Sequence, residues 1–148
     1  DADAGTNPLS SPYINIGNTQ TIFIRAEEAN TGCILSQGIT LDLVVNPLPS
    51  PVAPIPFEVC DIDNDGFAFF DLTDKDIEII GGEPDVTISY YETLIDAESG
   101  NFALTSPYLT IETPSQIIFV RAEYTTGTGC FRVIEMELVV NPTPIIPI

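Results

Sequence analysis

The feature that most constrains the fold of this chain is an internal repeat with a spacing of about 95 residues. Five motifs recur in order: residues 1–5 match 96–100, 11–14 match 106–109, 22–27 match 118–123, 31–33 match 128–130, and 43–47 match 138–142. The offset is 95 at both ends and drifts to 97 between them, as short insertions in hairpin loops would produce. Residues 1–46 are therefore predicted to be the C-terminal half of one module, and residues 57–143 a complete module.

Proline-rich segments are predicted to join these modules. Residues 47–56 hold five prolines, and prolines recur in residues 144–148, where the next linker would start. Prolines at this density favour polyproline II, which acts as a semi-rigid spacer. The sequence therefore predicts modules separated by short, stiff joints.

The half-module is expected to need a covering partner. Its last apolar residues alternate at Ile39, Leu41, Leu43 and Val45, so one face of this strand requires an opposing sheet. A fragment of about three strands has too little core to offset its chain entropy. We therefore expect the natural chain to continue upstream, or another polypeptide to cover this face.

Apolar side chains also alternate with outward ones along the complete module. The apolar positions are Val86, Ile88 and Tyr90; Ile118, Val120 and Ala122; and Ile134, Met136, Leu138 and Val140. This pattern is typical of strands with one buried face. It predicts an all-β fold, in which tandem immunoglobulin-like antiparallel β-sandwich modules are joined by short Pro-rich linkers. Two brief helical turns are also predicted, capped by Thr73 and Thr93.

An acidic loop follows the first cysteine of the complete module. Residues 60–73 read CDIDNDGFAFFDLT, which places acids at positions 1, 3 and 5 of the loop and a glycine at position 6. Alternate carboxylates and a turning glycine allow a short loop to surround Ca²⁺. The predicted Ca²⁺ ligands are the side chains of Asp61, Asp63 and Asp65, the carbonyl of Phe67, and Asp71 or Asp74 to close the shell. The alternative is an acidic turn whose side chains bond only their own backbone.

The three cysteines suit an oxidising compartment. The complete module carries Cys60 before its acidic loop and Cys130 before its last strand. We predict a Cys60–Cys130 disulfide, which would close a loop of about 70 residues and stabilise the module by on the order of 4 kcal/mol. Cys33 would then have no mate, because the corresponding cysteine would lie before residue 1. The alternative is that the thiols are free and buried.

The chain resembles a known family through four of these motifs. They are the Cys-Asp-x-Asp-Asn-Asp-Gly-Phe-x-x-Phe-Asp-Leu-Thr run, the Arg-Ala-Glu strand, the Thr-Gly-Cys before the last strand, and the Val-Asn-Pro-x-Pro ending. Together they are similar to the tandem repeats of large flavobacterial cell-surface adhesins, including SprB-like gliding adhesins.

That resemblance implies export by type IX secretion, an extracellular location on the cell surface, and a role in adhesion or gliding motility, as a stalk or a surface-binding unit. The implied partners are neighbouring repeats of the same long chain, with surface polysaccharide or the secretion and gliding machinery as further partners.

Composition excludes several other classes of protein. A net charge of -18, with 22 acidic and four basic residues, argues against binding to nucleic acid and to anionic membranes. No apolar run approaches 18 residues, which argues against membrane insertion. The absence of histidine removes His-based nucleophile systems and zinc sites. Glu135 and Glu137 are predicted to lie on a solvent face without a cleft, so we expect no glycosidase chemistry and no enzyme.

The alternative function is that of a calcium-dependent carbohydrate-binding module of a secreted multidomain enzyme. Such sites stack sugar rings on exposed aromatic side chains, and this chain has no Trp. The outward candidates are Tyr91, Phe119 and Tyr124, for which ordinary cross-strand packing is the simpler interpretation.

Two arginines occupy equivalent positions in the repeat. Arg25 and Arg121 each lie two residues before a glutamate on the same strand face. We predict ion pairs with Glu27 and Glu123 rather than contacts with an anionic ligand.

Overall fold

The structure is a computed structural model that describes residues 2, 4–35, 38–127 and 129–144. It divides into two compact units, Asp1–Asn46 and Pro47–Ile148, called unit 1 and unit 2 below. Residues 145–148, which belong to the predicted next linker, lie outside the described residues, as do residues 1, 3 and 128 of the repeated motifs. Among the described residues, no helix has the length and apolar character that a membrane crossing requires.

The described part of unit 1 contains two short antiparallel ladders. Strand β1 (Gln20–Phe23) pairs with β4 (Thr40–Leu43), and β2 (Ala26–Glu27) pairs with β3 (Ile34–Leu35). None of the described residues in this unit is buried.

The described residues of unit 2 form six strands in two sheets. They are β5 (Phe57–Asp61), β6 (Phe69–Phe70), β7 (Val86–Tyr91), β8 (Tyr108–Leu109), β9 (Ser115–Tyr124) and β10 (Phe131–Pro142). The larger sheet has the order β5-β10-β9-β7, and β6 pairs with β8 in the smaller one. The predicted all-β, sandwich-like fold is confirmed. The sheet is mixed rather than wholly antiparallel, because β5 runs parallel to β10.

The core of unit 2 lies between the two sheets. Strands β9 and β10 present alternate residues to it, namely Ile118, Val120, Ala122, Met136, Leu138 and Val140, each at most 3% exposed. Phe70 and Leu72 cover this face from the other side and are fully buried. The ring of Phe70 packs edge-to-face on Phe57, with 5.2 Å between ring centroids. The alternation predicted for these two strands therefore identified the core face.

Across residues 47–127 and 129–144, unit 2 also has three short helical segments: a 3₁₀ turn at Leu72–Lys75, α1 (Asp76–Ile80) and α2 (Leu94–Ser99). The predicted Thr93 cap is confirmed, because Thr93 Oγ1 accepts a hydrogen bond from the Asp96 amide at 3.1 Å. The predicted Thr73 cap is wrong. Asp71 caps that turn instead, since its carboxylate accepts from both the amide and the hydroxyl of Thr73.

The internal repeat extends to strand register. Gln20 faces Leu43 in unit 1 as Gln116 faces Leu138 in unit 2. Likewise Glu27 faces Ile34 as Glu123 faces Phe131. Strands β3 and β4 together therefore correspond to β10, and unit 1 has two more residues between the matched positions than unit 2 has. The drift in the repeat offset comes partly from these two residues.

Equivalent apolar residues differ sharply in burial between the units. Leu41 and Val45 are 48% and 54% exposed, whereas Met136 and Val140 at the matching positions are 1% and 3% exposed. The difference arises because unit 2 contains the strands that cover this face, whereas the described residues of unit 1 include no counterpart of β5, β6 or β7. This is the burial expected of half a module.

The proline-rich segment, residues 47–56, lies against the rest of unit 2. Pro49 is buried, and the Ser50 amide donates to Glu83 Oε2 at 2.8 Å. The Val52 amide donates to the Ile79 carbonyl at 2.8 Å. The Ile55 amide also donates to Glu78 Oε1 at 3.0 Å. The conformation of this segment therefore depends on these hydrogen bonds as well as on its prolines.

Candidate functional site

The acidic loop joins β5 to β6 and is organised around Asp61. This carboxylate is only 3% exposed and accepts hydrogen bonds from the Asn64 amide at 2.8 Å and the Gly66 amide at 2.7 Å. Gly66 adopts a φ of 93°, a left-handed conformation that glycine reaches without strain. The loop therefore wraps its own backbone around one buried carboxylate.

The electrostatics of Asp61 favour its charged form. Burial raises its pKa, but the amide hydrogen bonds from Gly66 and Asn64 outweigh burial, so the pKa lies below the usual value for aspartate. This stabilisation is present above the unfolded-state pKa and is lost as the pH falls through the folded-state pKa. Asp61 is accordingly a negative charge at neutral pH.

Three of the predicted ligands converge. One carboxylate oxygen from each of Asp61, Asp63 and Asp65 lies within 4.8 Å of the others. Oxygens bound to a common Ca²⁺ at about 2.3–2.6 Å are separated by at most roughly 5 Å, so this spacing fits such an ion. The Phe67 amide also donates to Asp65 Oδ1 at 2.9 Å in a local turn. The loop therefore contains both the carboxylate cluster that the calcium prediction requires and the backbone-bonded acidic turn that was its alternative.

The structure places Asp71 in a different role. Its Oδ1 accepts from the hydroxyls of Thr73 and Ser106, both at 2.6 Å, and these bonds lower its pKa despite partial desolvation. Asp71 therefore caps the 3₁₀ turn and is not part of the three-carboxylate cluster. Asp74 is exposed in the same turn and is likewise outside the cluster.

The acidic loop is fastened to the strand by which the chain leaves the module. The Asn64 amide side chain donates to Thr143 Oγ1 at 2.7 Å, and the Thr143 amide donates back to Asn64 Oδ1 at 3.1 Å. This pair was not predicted, since the two residues are 79 positions apart and no local pattern links them. The loop thus lies at the end of unit 2 that leads to the next linker.

An open groove of about 820 Å³ runs beside the loop. Its lining includes Cys60, Ile62, Phe67, Phe69, Leu109 and Ile111. Cys60 is exposed and opens onto this groove, so its thiol is accessible from outside the module.

The two cysteines of unit 2 lie at opposite ends of strand β10. Cys60 faces Asn141 at the end of β10, whereas Cys130 immediately precedes the first residue of that strand. The intervening residues of an extended strand span about 36 Å at roughly 3.3 Å each. A disulfide needs Cα atoms within about 7 Å, so the predicted Cys60–Cys130 bridge cannot form within one module. No disulfide is present among the described residues. Cys33 is exposed and precedes β3, which is the position that corresponds to Cys130 before β10.

The predicted arginine ion pairs are confirmed. Arg25 lies 2.8 Å from Glu27, and Arg121 lies 2.7 Å from Glu123. In unit 2 the guanidinium also donates to the carbonyls of Ala97 and Glu98 and stacks over the ring of Phe131. These additional contacts were not predicted, and they show that Arg121 joins α2 to the main sheet.

The candidate aromatic platform for sugars is not assembled on one open surface. Tyr91 is 3% exposed, and its hydroxyl donates to Ser89. Phe119 lies opposite Tyr91 in the β7–β9 ladder, as cross-strand packing predicts. Tyr124 is partly buried and donates to Glu83.

Comparison with known proteins identifies one family. The family model described as the Flavobacterium inter-domain disulphide bond domain matches residues 1–49 and 56–144. These two segments correspond to the two copies of the internal repeat. No curated protein and no solved structure matches the chain.

Proposed function

The chain belongs to the Flavobacterium inter-domain disulphide bond domain family, and we propose that it is a non-enzymatic repeat module of a large secreted cell-surface adhesin. In this proposal the module acts as a stalk or surface-binding unit in adhesion or gliding, within a protein similar to SprB-like adhesins. The observation that carries the proposal is the repetition of one hairpin register in both units of a single chain.

Charge supports an extracellular setting for this array. A net charge of -18 spread over repeated modules favours solubility and binding of divalent cations. Neighbouring repeats are the first proposed partners. Surface polysaccharide and the secretion or gliding machinery are further ones.

Surface location supplies the first test. Antibodies raised against this chain should label intact cells of the source organism, and disabling type IX secretion should retain the antigen inside those cells. Labelling only after permeabilisation of normal cells would contradict the proposal. Antibody against a cytoplasmic protein serves as the control for cell integrity.

The alternative, a calcium-dependent carbohydrate-binding module of a secreted enzyme, is favoured by the open groove beside the acidic loop. A glycan array probed with the whole chain in the presence of calcium separates the two functions. A stalk module should bind no glycan above background. Selective binding that disappears with EGTA would favour the alternative.

We also propose that Ca²⁺ binds the acidic loop through Asp61, Asp63 and Asp65. Ca²⁺ would neutralise three converging carboxylates and tie β5 to the segment that leads into β6. The carbonyl of Phe67 and water would complete the shell, since Asp71 is engaged in its cap.

Calcium should therefore stabilise unit 2. Binding to the folded state alone raises the free energy of unfolding by about 2.7 kcal/mol at a hundredfold excess over Kd. Asp63→Asn should abolish most of this gain in calorimetric melts. Asp74→Asn removes the same charge from an exposed acid outside the cluster and should keep the gain. Equal Tm values for the unaltered chain in calcium and in EGTA, at matched ionic strength, would contradict the site.

A further inference from the structure

We propose that the outer face of the small β6–β8 sheet is a docking site for an extended polypeptide segment of another protein. The segment would carry apolar side chains at alternate positions and Lys or Arg at one end. The site lies wholly within unit 2 and does not depend on the proposed location of the protein.

The small sheet carries apolar side chains on both of its faces. Phe70 and Tyr108 pair across the two strands and are buried against the main sheet. The neighbouring pair, Phe69 and Leu109, turns outward, and these side chains are 65% and 45% exposed. A sheet with one face in water ordinarily alternates apolar and polar residues, so apolar residues on both faces are typical of a sheet that is covered on both sides.

The outer apolar face continues beyond this pair. The Thr110 amide donates to the Ala68 carbonyl at 3.2 Å, which keeps the register and sets Phe67 opposite Ile111. Phe67 and Ile111 are also exposed, and they line the groove of about 820 Å³ together with the outward pair. Two adjacent cross-strand pairs therefore form one apolar surface, and contiguous surfaces of this kind mark interaction sites.

The outward apolar positions of β8 recur in unit 1. Ile14 and Ile16 correspond to Leu109 and Ile111, and both are exposed. The backbone is held in the same way in the two units, because a glutamine of the following strand accepts a hydrogen bond from the Ile16 amide and from the Ile111 amide, at 2.9 Å in each case. The apolar surface is therefore a property of the repeat and not of one copy.

Acidic side chains border this surface. Asp63 and Asp65 are exposed and line the same groove. Among the described residues that line the groove, none is basic. The net charge of -18 repels a second copy of the chain and attracts a cationic partner. Charge complementarity therefore favours a partner segment that combines apolar and basic residues.

The spacing of the apolar side chains fits an extended partner. Phe67 and Phe69 are two residues apart on one strand, which separates them by about 6.6 Å. Alternate side chains of any extended segment have the same spacing, so they can pack on successive pairs of the outer face. Because Phe67 directly follows the acidic loop, Lys or Arg at that end of the segment would reach Asp63 and Asp65.

Peptide display on the whole chain tests the site. A displayed library of short random peptides would be selected in EGTA, so that the carboxylates hold no calcium. Enriched peptides should combine alternating apolar residues with Lys or Arg, and their affinity, measured by calorimetric titration, should fall as salt is added. Phe69→Ser together with Leu109→Ser should weaken their binding by about tenfold or more, because central apolar contacts supply most of the energy of such interfaces.

Matched variants separate the site from general stickiness. Ile77→Ser together with Ile95→Ser removes two exposed apolar side chains of unit 2 that lie outside the groove, and binding should not change. An unchanged Tm of unit 2 would show that the Phe69→Ser, Leu109→Ser chain is folded. If that chain does not fold, Asp63→Asn in the exposed loop tests the site. It should weaken the basic peptides and not their counterparts with Gln in place of Lys and Arg.

Different outcomes overturn different parts of the inference. Enriched peptides that are neutral or acidic would reject the cationic partner. Equal enrichment on the unaltered chain and on the folded Phe69→Ser, Leu109→Ser chain would reject the site. Sedimentation equilibrium that shows self-association of the unaltered chain, abolished by the same two substitutions, would assign the surface to a second copy instead.

Discussion

Joining a copy of residues 47–95 directly ahead of residue 1 should convert unit 1 into a second stably folded module. Residue 96 corresponds to residue 1 in the repeat, so this extension supplies counterparts of β5, β6 and β7 in the correct order. The added Phe70 and Leu72 positions would cover Ile22 and Leu41, whose equivalents Ile118 and Met136 are buried in unit 2.

Hydrogen exchange measures this gain. A module of about 95 residues has a free energy of unfolding of roughly 5 kcal/mol or more, so amides in β1 and β4 should exchange about a thousandfold more slowly in the extended chain. Amides of β9 and β10 should be protected equally in both chains. A matched extension carrying Phe70→Asp should fail to protect β1 and β4. Equal protection of β1 and β9 in the unextended chain would contradict the assignment of unit 1 as half a module.

The parts of the fold that could be predicted are those that produce a local periodicity or an internal repeat in the sequence. Alternation along β9 and β10 identified the buried face because successive side chains of a strand point to opposite sides whatever strand lies beside them. The Thr93 cap was predictable for a similar reason, since its hydrogen bond spans only three residues.

The parts that could not be predicted depend on contacts between distant residues. The parallel pairing of β5 with β10 places Cys60 beside Asn141, and no motif near Cys60 indicates this. Loop length alone makes Cys130 a suitable disulfide partner for Cys60, although strand direction places Cys130 at the far end of the module. Asp71 shows the related ambiguity of a carboxylate, because the same residue type serves as a metal ligand and as a cap. Ser106, which is 35 residues away, holds it in the second role.

Arg121→Ala should lower the free energy of unfolding of unit 2 by about 3 kcal/mol. The guanidinium is mostly buried and donates to the Ala97 and Glu98 carbonyls, at 2.9 and 3.0 Å, in the last turn of α2. Carbonyls at a helix end have no partner within the helix, and a cation there is favourable. Alanine would leave these carbonyls and the carboxylate of Glu123 without their donor, and each buried loss costs about 1–3 kcal/mol.

Thermal unfolding of the whole chain, followed by calorimetry, should show the Tm of unit 2 fall by roughly 10–20 °C. Arg121→Lys keeps the charge but not the planar fork of donors, so we expect an intermediate loss. Arg25→Ala is the matched control, because this arginine occupies the equivalent position in unit 1 and pairs with a Glu27 side chain that is 52% exposed. Exposed pairs contribute about 0–1 kcal/mol, so the unit 2 transition should not move in that variant. If Arg121→Ala shifted the transition no more than Arg25→Ala, the joining of α2 to the sheet would depend on apolar packing around Ala97 instead.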